Sequence, residues 1–348
     1  MTPRKFGTLP SGDTVEAHTL ANGAGASVEV LNYGGIVTSL RMPDRMGRSA
    51  DVVLGYRDLD GYLMGRAYLG AIIGRVAGRI RGGLLDLEGK SYPLGRNEGA
   101  NHLHGGHVGL DRRIWTAEPV THPNDAPSLR LRYRSPDGEE GYPGAVDIVV
   151  TYTLTDENAL VIESEATADR VTPLCLTHHS YFNLAGEGSG DVLRHEFQIN
   201  ADRYAPATED LTLADRAEVV TGTGLDLRQP RRLGEALSGL PGGHGDLYLL
   251  GRDKATDGAV RLAARVSESA SGRVLEVFTD EPCLQFYTGA MLDAMLAGKS
   301  GSRYGPFAGF CLECQGHPNT PSPGVFGDIL VCPSRPQRRR TVYAFSTN

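Results

Sequence analysis

Short segments in which apolar and polar residues alternate are the dominant pattern of this 348-residue chain. Alternation with a period of two is typical of β-strands, and these segments are rich in β-branched residues. The clearest segments cover residues 27–31, 129–133, 146–152, 160–165 and 274–278. Helical periodicity is confined to three short stretches, at residues 59–65, 233–240 and 291–297. Closely spaced strands without alternating helices predict an all-β fold, either an antiparallel sandwich or a barrel.

The glycine content agrees with many tight turns between short strands. Glycine accounts for 45 of the 348 residues, about 13%, which is nearly double the usual ~7%. No internal repeat, low-complexity segment or long Pro- or Ser-rich linker interrupts the strand pattern. We therefore expect a single domain over residues 1–348.

Charge and hydropathy patterning argue against several classes of function. Asp and Glu outnumber Lys and Arg by 42 to 35, a net charge of -7, which disfavours a nucleic-acid partner. No apolar run reaches the ~18 residues that a membrane helix needs. The N-terminal segment lacks the apolar centre of a secretory signal, and five cysteines, an odd number, favour free thiols. These patterns predict a cytoplasmic protein with neither a membrane nor a nucleic-acid partner.

The segment FCLECQ, residues 310–315, contains an acidic residue among apolar ones. If it is a strand, Glu313 shares one face with Cys311 and Gln315, and the other face belongs to the core. Partial burial would raise the pKa of the Glu313 carboxyl toward the range of a general base, although a buried ion pair is the alternative. Cys311 and Cys314 form a C-x-x-C motif, but a strand directs them to opposite faces, which disfavours a shared metal or redox role.

Histidine and arginine residues concentrate in three further segments, at residues 74–81, 101–107 and 177–184. Adjacent residues of an extended chain point to opposite sides, so only one of His178 and His179 can face a given pocket. His102 and His104 are two apart and resemble a metal-ligand pair, but Val108 stands where such a motif would have Glu. Arg79 lies among apolar residues and glycines, and its forked donors would suit sugar hydroxyls.

Together these segments resemble one family, the aldose 1-epimerases. The resemblance runs nearly end to end, through NYGGIVTSLRMPDRMGRSADVVLGY, YLGAIIGRVAGRI, NHLHGG, THHSYFNLAG, TDEPCLQFYTG and FCLECQGHPNTP in the family's order. It implies a large antiparallel β-sandwich, the galactose mutarotase-like supersandwich, with a few short helices. It also implies an isomerase without cofactor or metal, acting on free aldoses such as D-galactose or D-glucose, as a monomer or homodimer.

The resemblance also implies roles for particular residues. Glu313 matches the general base at the C1 hydroxyl, His179 the general acid at the ring oxygen, and His104 a partner on the ring-oxygen side. The residues that match sugar-binding positions are Arg79, Asp246 and Gln285. A carboxylate and an imidazolium suffice for anomer exchange, and we expect Glu313 to start ionised and His179 to start protonated.

Three positions depart from the family pattern. Gly78 replaces an Asn, His178 also stands where Asn is common, and Asp246 lies one residue away from the expected position. Two alternatives therefore stay open. One is a non-catalytic sugar-binding or regulatory protein on the same fold. The other is a metal-dependent hydrolase or isomerase that would use His102, His104, His107 and Glu313.

Overall fold

A computed structural model describes residues 2–121, 125–251, 259–319 and 329–348. Fourteen strands lie among the described residues up to 168, and each strand predicted there is confirmed. They are β1 Arg4–Thr8, β2 Thr14–Ala21, β3 Ser27–Leu31, β4 Val37–Pro43, β5 Ser49–Asp51, β6 Ile72–Ile73, β7 Arg79–Ile80, β8 Leu84–Leu87, β9 Lys90–Pro93, β10 His102–Leu103, β11 Thr116–Thr121, β12 Pro127–Ser135, β13 Val146–Leu154 and β14 Ala159–Ala168.

Thirteen more strands lie among the described residues from 172 onward, including the predicted strand at 274–278 and a strand at 311–315 in the segment FCLECQ. They are β15 Thr172–Pro173, β16 Thr177–His178, β17 Glu196–Ile199, β18 Arg203–Ala205, β19 Glu218–Val219, β20 Arg231–Arg232, β21 Leu247–Leu249, β22 Arg261–Ser267, β23 Arg273–Thr279, β24 Cys283–Tyr287, β25 Cys311–Gln315, β26 Leu330–Val331 and β27 Gln337–Thr347.

Three antiparallel sheets carry most of the strands. The largest has nine, in the order β11-β12-β13-β14-β27-β23-β22-β17-β20, and two smaller sheets have five each. One of these runs β1-β2-β3-β4-β5, and the other runs β19-β18-β21-β24-β25. Their apolar faces meet in one large core that includes the fully buried rings of Trp115, Tyr152 and Phe310. This is the all-β sandwich that the sequence predicts.

Helices are short and few in the described parts of the chain. Helix α1, Leu59–Met64, begins after Asp58, whose carboxylate accepts a hydrogen bond from the Gly61 amide, and ends at Gly65. Helix α2, Leu233–Ala236, continues into a 3₁₀ turn at Leu237–Gly239. Both confirm predicted helical stretches. No helix among these residues is long and apolar enough to cross a membrane.

The predicted helix at residues 291–297 is wrong. Ala294 has a φ of 57°, in the left-handed region, which a right-handed helix cannot include. Its amide donates instead to the carbonyl of Tyr304, 3.0 Å away. The segment is therefore a loop that is hydrogen-bonded to a residue outside it. Of the apolar residues that suggested a helix, Leu292 is buried, whereas Met291 and Met295 are exposed.

All five cysteines are free thiols, as predicted. Four of them are buried, and Cys332 is partly exposed. The fold is therefore held by its strand pairing and core rather than by covalent links between distant parts of the chain.

Candidate active site

Strand β25 places the acidic residue of the site. Glu313 is 3% exposed and pairs across the ladder with Gln285 of β24. Leu312 and Cys314 point from the opposite face into the main core, as the alternation predicts. Strand β25 is the last strand of its sheet, and Glu313 and Gln315 on one of its faces line a cleft.

The two adjacent histidines separate as predicted. His178, the last residue of β16, lies in the core near the rings of Tyr152 and Tyr343, with centroid separations of 6.0 and 6.1 Å. His179 faces the cleft, and its Nε2 lies 3.8 Å from Oε2 of Glu313. Backbone hydrogen bonds fix its position, since its amide donates to the carbonyl of Ala71 at 2.9 Å. The imidazole, just after β16, and the carboxyl, on β25, are therefore brought together from distant parts of the chain.

His104 lies beside His179 in the cleft, with ring centroids 5.3 Å apart and the ring planes nearly perpendicular. Its Nδ1 accepts a hydrogen bond from the Gly78 amide at 3.1 Å, so the neutral ring carries its proton on Nε2. A side chain on the next residue, Gly105, would come within 1.8 Å of the carbonyl oxygen of Gly74. Glycine is thus required for this close approach of two backbone segments.

The three predicted sugar-binding residues line the same cleft. Arg79 is held by Glu98 through two hydrogen bonds of 2.5 and 2.6 Å. Asp246 is buried and accepts a hydrogen bond from the Ala207 amide at 3.1 Å. Gln285 donates to the carbonyl of Phe286 at 2.9 Å. The one-residue departure from the family spacing therefore leaves Asp246 in the cleft.

The cleft has a volume of about 550 Å³, within the usual range for a small-molecule site. It gathers all six site residues singled out in the sequence, from six separate segments of the chain. Sequence reasoning missed several others that line it: Tyr68, Glu98, Tyr181, His244 and Tyr287. The aromatic ones carry no local signal, because a tyrosine in a strand or turn is usually a core residue.

Burial determines the charge state of the central pair. It raises the pKa of Glu313 to about 8, partly offset by the positive charge of Arg79. Burial lowers the pKa of His179 to about 4. It also lowers the pKa of His104 well below its ordinary value, and the neighbouring His179 lowers the His104 pKa further. Both shifts of the central pair oppose the expected resting ion pair: in the free site burial favours a protonated Glu313 and a neutral His179, because a buried cavity disfavours both charges.

Asp246 is subject to the same effect. Burial raises its pKa to about 7, against a small opposing contribution from the Ala207 hydrogen bond. A carboxyl that stays buried without a cation partner is poised to accept hydrogen bonds from a bound polar molecule. This supports its assignment as a binding residue rather than a structural one.

The H-x-H pair has a structural explanation. Nε2 of His102 is hydrogen-bonded to the hydroxyl of Tyr142 at 2.7 Å, and its Nδ1 to the carbonyl of Gly95 at 2.6 Å. Both ring nitrogens of His102 are thus hydrogen-bonded to other residues of the protein. Arg75 is likewise structural, since it is buried and donates to the carbonyls of Gly144 and Pro143. These contacts argue against a metal centre built on His102 and His104.

Comparison with known proteins identifies the family. A model of the family "Aldose 1-epimerase" matches residues 16–344. The chain belongs to the aldose 1-epimerase family. The galactose mutarotase of Sus scrofa is 43% identical over 343 residues, 98% of this chain and 97% of the relative. The aldose 1-epimerase of Escherichia coli K12 is 33% identical, with 91% and 92% of the two chains covered.

Solved structures of aldose 1-epimerase family members have the same fold. A GalM/aldose epimerase homologue from C. elegans superposes with a TM-score of 0.87 at 30% identity, covering 96% of this chain and 99% of the other. A galactose 1-epimerase from Lactobacillus acidophilus gives 0.83 at 27% identity, covering 100% and 98%. The galactose mutarotase-like supersandwich is therefore the architecture of this chain.

Proposed function

We propose that the protein is an aldose 1-epimerase that interconverts the α and β anomers of free aldoses such as D-galactose or D-glucose. The observation that carries the proposal is the placement of Glu313 and His179, 3.8 Å apart on the wall of a sugar-sized cleft. Family membership and the similarity to proteins named galactose mutarotase support the same activity. The protein is then an isomerase of carbohydrate metabolism.

Anomer exchange requires a proton to leave the C1 hydroxyl while another reaches the ring oxygen. Ionised Glu313 takes the first proton, and protonated His179 supplies the second, so that the bond between C1 and the ring oxygen breaks. The open-chain aldehyde then rotates about the bond between C1 and C2. Reclosure by the reverse transfers returns both protons and gives the other anomer. Each positioned proton transfer contributes roughly 10² to 10⁴ in rate.

The neutral resting pair is compatible with these roles. A proton shift from Glu313 to His179 produces the ion pair without any change in the total number of protons. A bound sugar favours that shift, because its C1 hydroxyl donates to the carboxylate and its ring oxygen accepts from the imidazolium. The positive charge of Arg79 also favours an ionised Glu313.

The remaining site residues hold and orient the sugar in this account. His104 carries a proton on Nε2 and acts as a hydrogen-bond donor on the ring-oxygen side. Arg79, Asp246 and Gln285 bind hydroxyl groups. Gly78 contributes no side chain, and a β-carbon there would lie only 3.0 Å from Pro318, at a φ of 85°. The side-chain amide that the family usually has at this position is absent from this chain.

We also propose that the chain works as a single domain, as a monomer or homodimer, in the cytoplasm, and without a cofactor. The continuous strand pattern supports one domain, and the proton-transfer chemistry needs neither a metal nor a nucleotide.

Polarimetry tests the proposal. Freshly dissolved α-D-galactose is mixed with protein, and the approach of optical rotation to equilibrium is compared with that in buffer. A rate that increases in proportion to protein concentration supports the enzyme. A rate equal to that of buffer, together with saturable galactose binding in calorimetry, would support the non-catalytic sugar-binding alternative.

A further inference from the structure

Three side chains with metal-ligating atoms meet at the cleft: His179 and Glu313 line it, and Cys311 is fully buried beside them. Cys311 and Glu313 are two residues apart on β25 and share one face. His179 contacts both, with Nδ1 3.5 Å from Sγ of Cys311 and Nε2 3.8 Å from Oε2 of Glu313. One ligand atom from each residue lies within 4.8 Å of the other two. We propose that this trio binds a zinc ion, and that the bound ion blocks the active site.

The spacing suits zinc. A tetrahedral zinc ion with bonds of ~2.0–2.3 Å separates its ligand atoms by about 3.4–3.6 Å. The separations of up to 4.8 Å reach this spacing by side-chain shifts of about 1 Å. Sulfur, imidazole and carboxylate are all ligands that zinc accepts, and the sulfur selects against Mg²⁺ and Ca²⁺. Three protein ligands leave the fourth position open toward the cleft.

The surroundings of the trio favour a cation. Cys311, His179 and Glu313 are 0%, 4% and 3% exposed. Oε2 of Glu313 is buried and has no hydrogen-bond partner among the described residues, so it is available to bind a cation. A divalent ion bound by one thiolate and one carboxylate adds no net charge to the cavity, which limits the cost of burying it.

The consequence for activity rests on the proposed function. Zinc would coordinate the carboxylate of Glu313, which takes the sugar proton, and a nitrogen of His179, which delivers one. The ion is thus an inhibitor and not a cofactor. Sugar and zinc compete for the same atoms, so each should weaken the binding of the other.

Cysteine variants give a matched test by calorimetry with ZnCl₂ alone. Cys332→Ser is introduced throughout, because the partly exposed thiol of Cys332 could bind zinc by itself. In that background, Cys311→Ser should weaken binding of one zinc ion at least about tenfold, the effect expected for loss of a ligand. Cys314→Ser is the control, since Cys314 is on the same strand but faces the core, and it should bind zinc as the background does. Equal affinity in the Cys311 and Cys314 variants would overturn the site.

Polarimetry then tests whether bound zinc blocks mutarotation. Zinc should abolish enzymatic mutarotation at an occupancy that matches the calorimetric titration, EDTA should restore it, and galactose should raise the apparent Kd for zinc. Full turnover with zinc bound would overturn the inference. The two proposals fail separately: a metal-free protein that does not accelerate mutarotation refutes the enzyme, while calorimetry of the same protein still decides whether Cys311 holds zinc.

Discussion

The imidazole of His179 and the carboxyl of Glu313 face each other in the cleft, with Nε2 3.8 Å from Oε2. His179 follows strand β16 and Glu313 is on strand β25, and both are almost fully buried. Burial favours the neutral form of each when the cleft is empty, a state in which the carboxyl holds one transferable proton. A sugar hemiacetal must lose a proton at the C1 hydroxyl and gain one at the ring oxygen. A neighbouring carboxyl and imidazole can accept the first proton and supply the second.

Replacing the imidazole should remove most of the activity. We expect His179→Asn to lower kcat by roughly 10² to 10⁴, because an amide cannot act as the acid that protonates the ring oxygen. His178→Asn is the neighbouring control, since His178 faces the core, and its kcat should stay within about tenfold of the parent protein's. Initial polarimetric rates for both variants make the comparison. A larger loss in the His178 variant than in the His179 variant would contradict the assignment.

The pH dependence of kcat/KM, which reports on the free enzyme, should follow the number of protons that Glu313 and His179 hold between them. Below the His179 pKa of about 4 both groups are protonated, and above the Glu313 pKa of about 8 both are deprotonated. Activity should therefore be highest between these values and fall on either side. Polarimetric rates, corrected for the acid- and base-catalysed reaction in buffer, give the profile. Activity that rises continuously from pH 7 to pH 10 would be incompatible with a proton held on Glu313.

Asp246 should reduce the stability of the folded protein at high pH. Its folded-state pKa of about 7 lies above its ordinary value of 3.8. Between those values the unfolded chain releases a proton that the folded chain retains, so stability falls as pH rises through this window. Asp246→Asn should be more stable than the parent at pH 8, by up to a few kcal/mol, and similar to it near pH 4.

The same substitution should weaken sugar binding, since an amide is a poorer acceptor for hydroxyl groups than a carboxylate. Thermal unfolding at pH 4 and pH 8 measures the first effect, and KM for galactose measures the second. A variant that is less stable than the parent at pH 8 would show that burial of Asp246 is compensated by contacts beyond the Ala207 hydrogen bond.

Glu98 should act by positioning Arg79. The two short hydrogen bonds between them hold the guanidinium at the cleft wall. Glu98→Gln weakens this pairing, so we expect KM to rise several-fold while kcat changes little. Glu118→Gln serves as a control, because Glu118 pairs with Arg130 and Arg132 away from the cleft, and it should leave both constants unchanged. A fall in kcat with unchanged KM in Glu98→Gln would instead place Glu98 in the proton transfers.

Much of the site follows from local patterns in the sequence. Alternation in FCLECQ correctly places Glu313 away from the core, and the opposite directions of adjacent residues correctly separate His178 from His179. Strands are predictable in this way because each one packs one face against a shared core.

Other features depend on contacts between distant segments. The loop at residues 291–297 has helical spacing, but a hydrogen bond to Tyr304 sets its conformation. The H-x-H pair looks like a metal motif until Tyr142 and Gly95 are found to satisfy His102. The resting charges of Glu313 and His179 were also not predictable, because they depend on how deeply the completed fold buries them.

The most direct test of the account is the mutarotation rate of Glu313→Gln, measured by polarimetry with freshly dissolved α-D-galactose. Glutamine keeps the size of the side chain but cannot accept the proton of the C1 hydroxyl. The account predicts a fall in kcat of at least about 10², with a melting temperature equal to or above that of the parent, because a buried ionisable group is removed. A folded Glu313→Gln protein with near-parental turnover would contradict it.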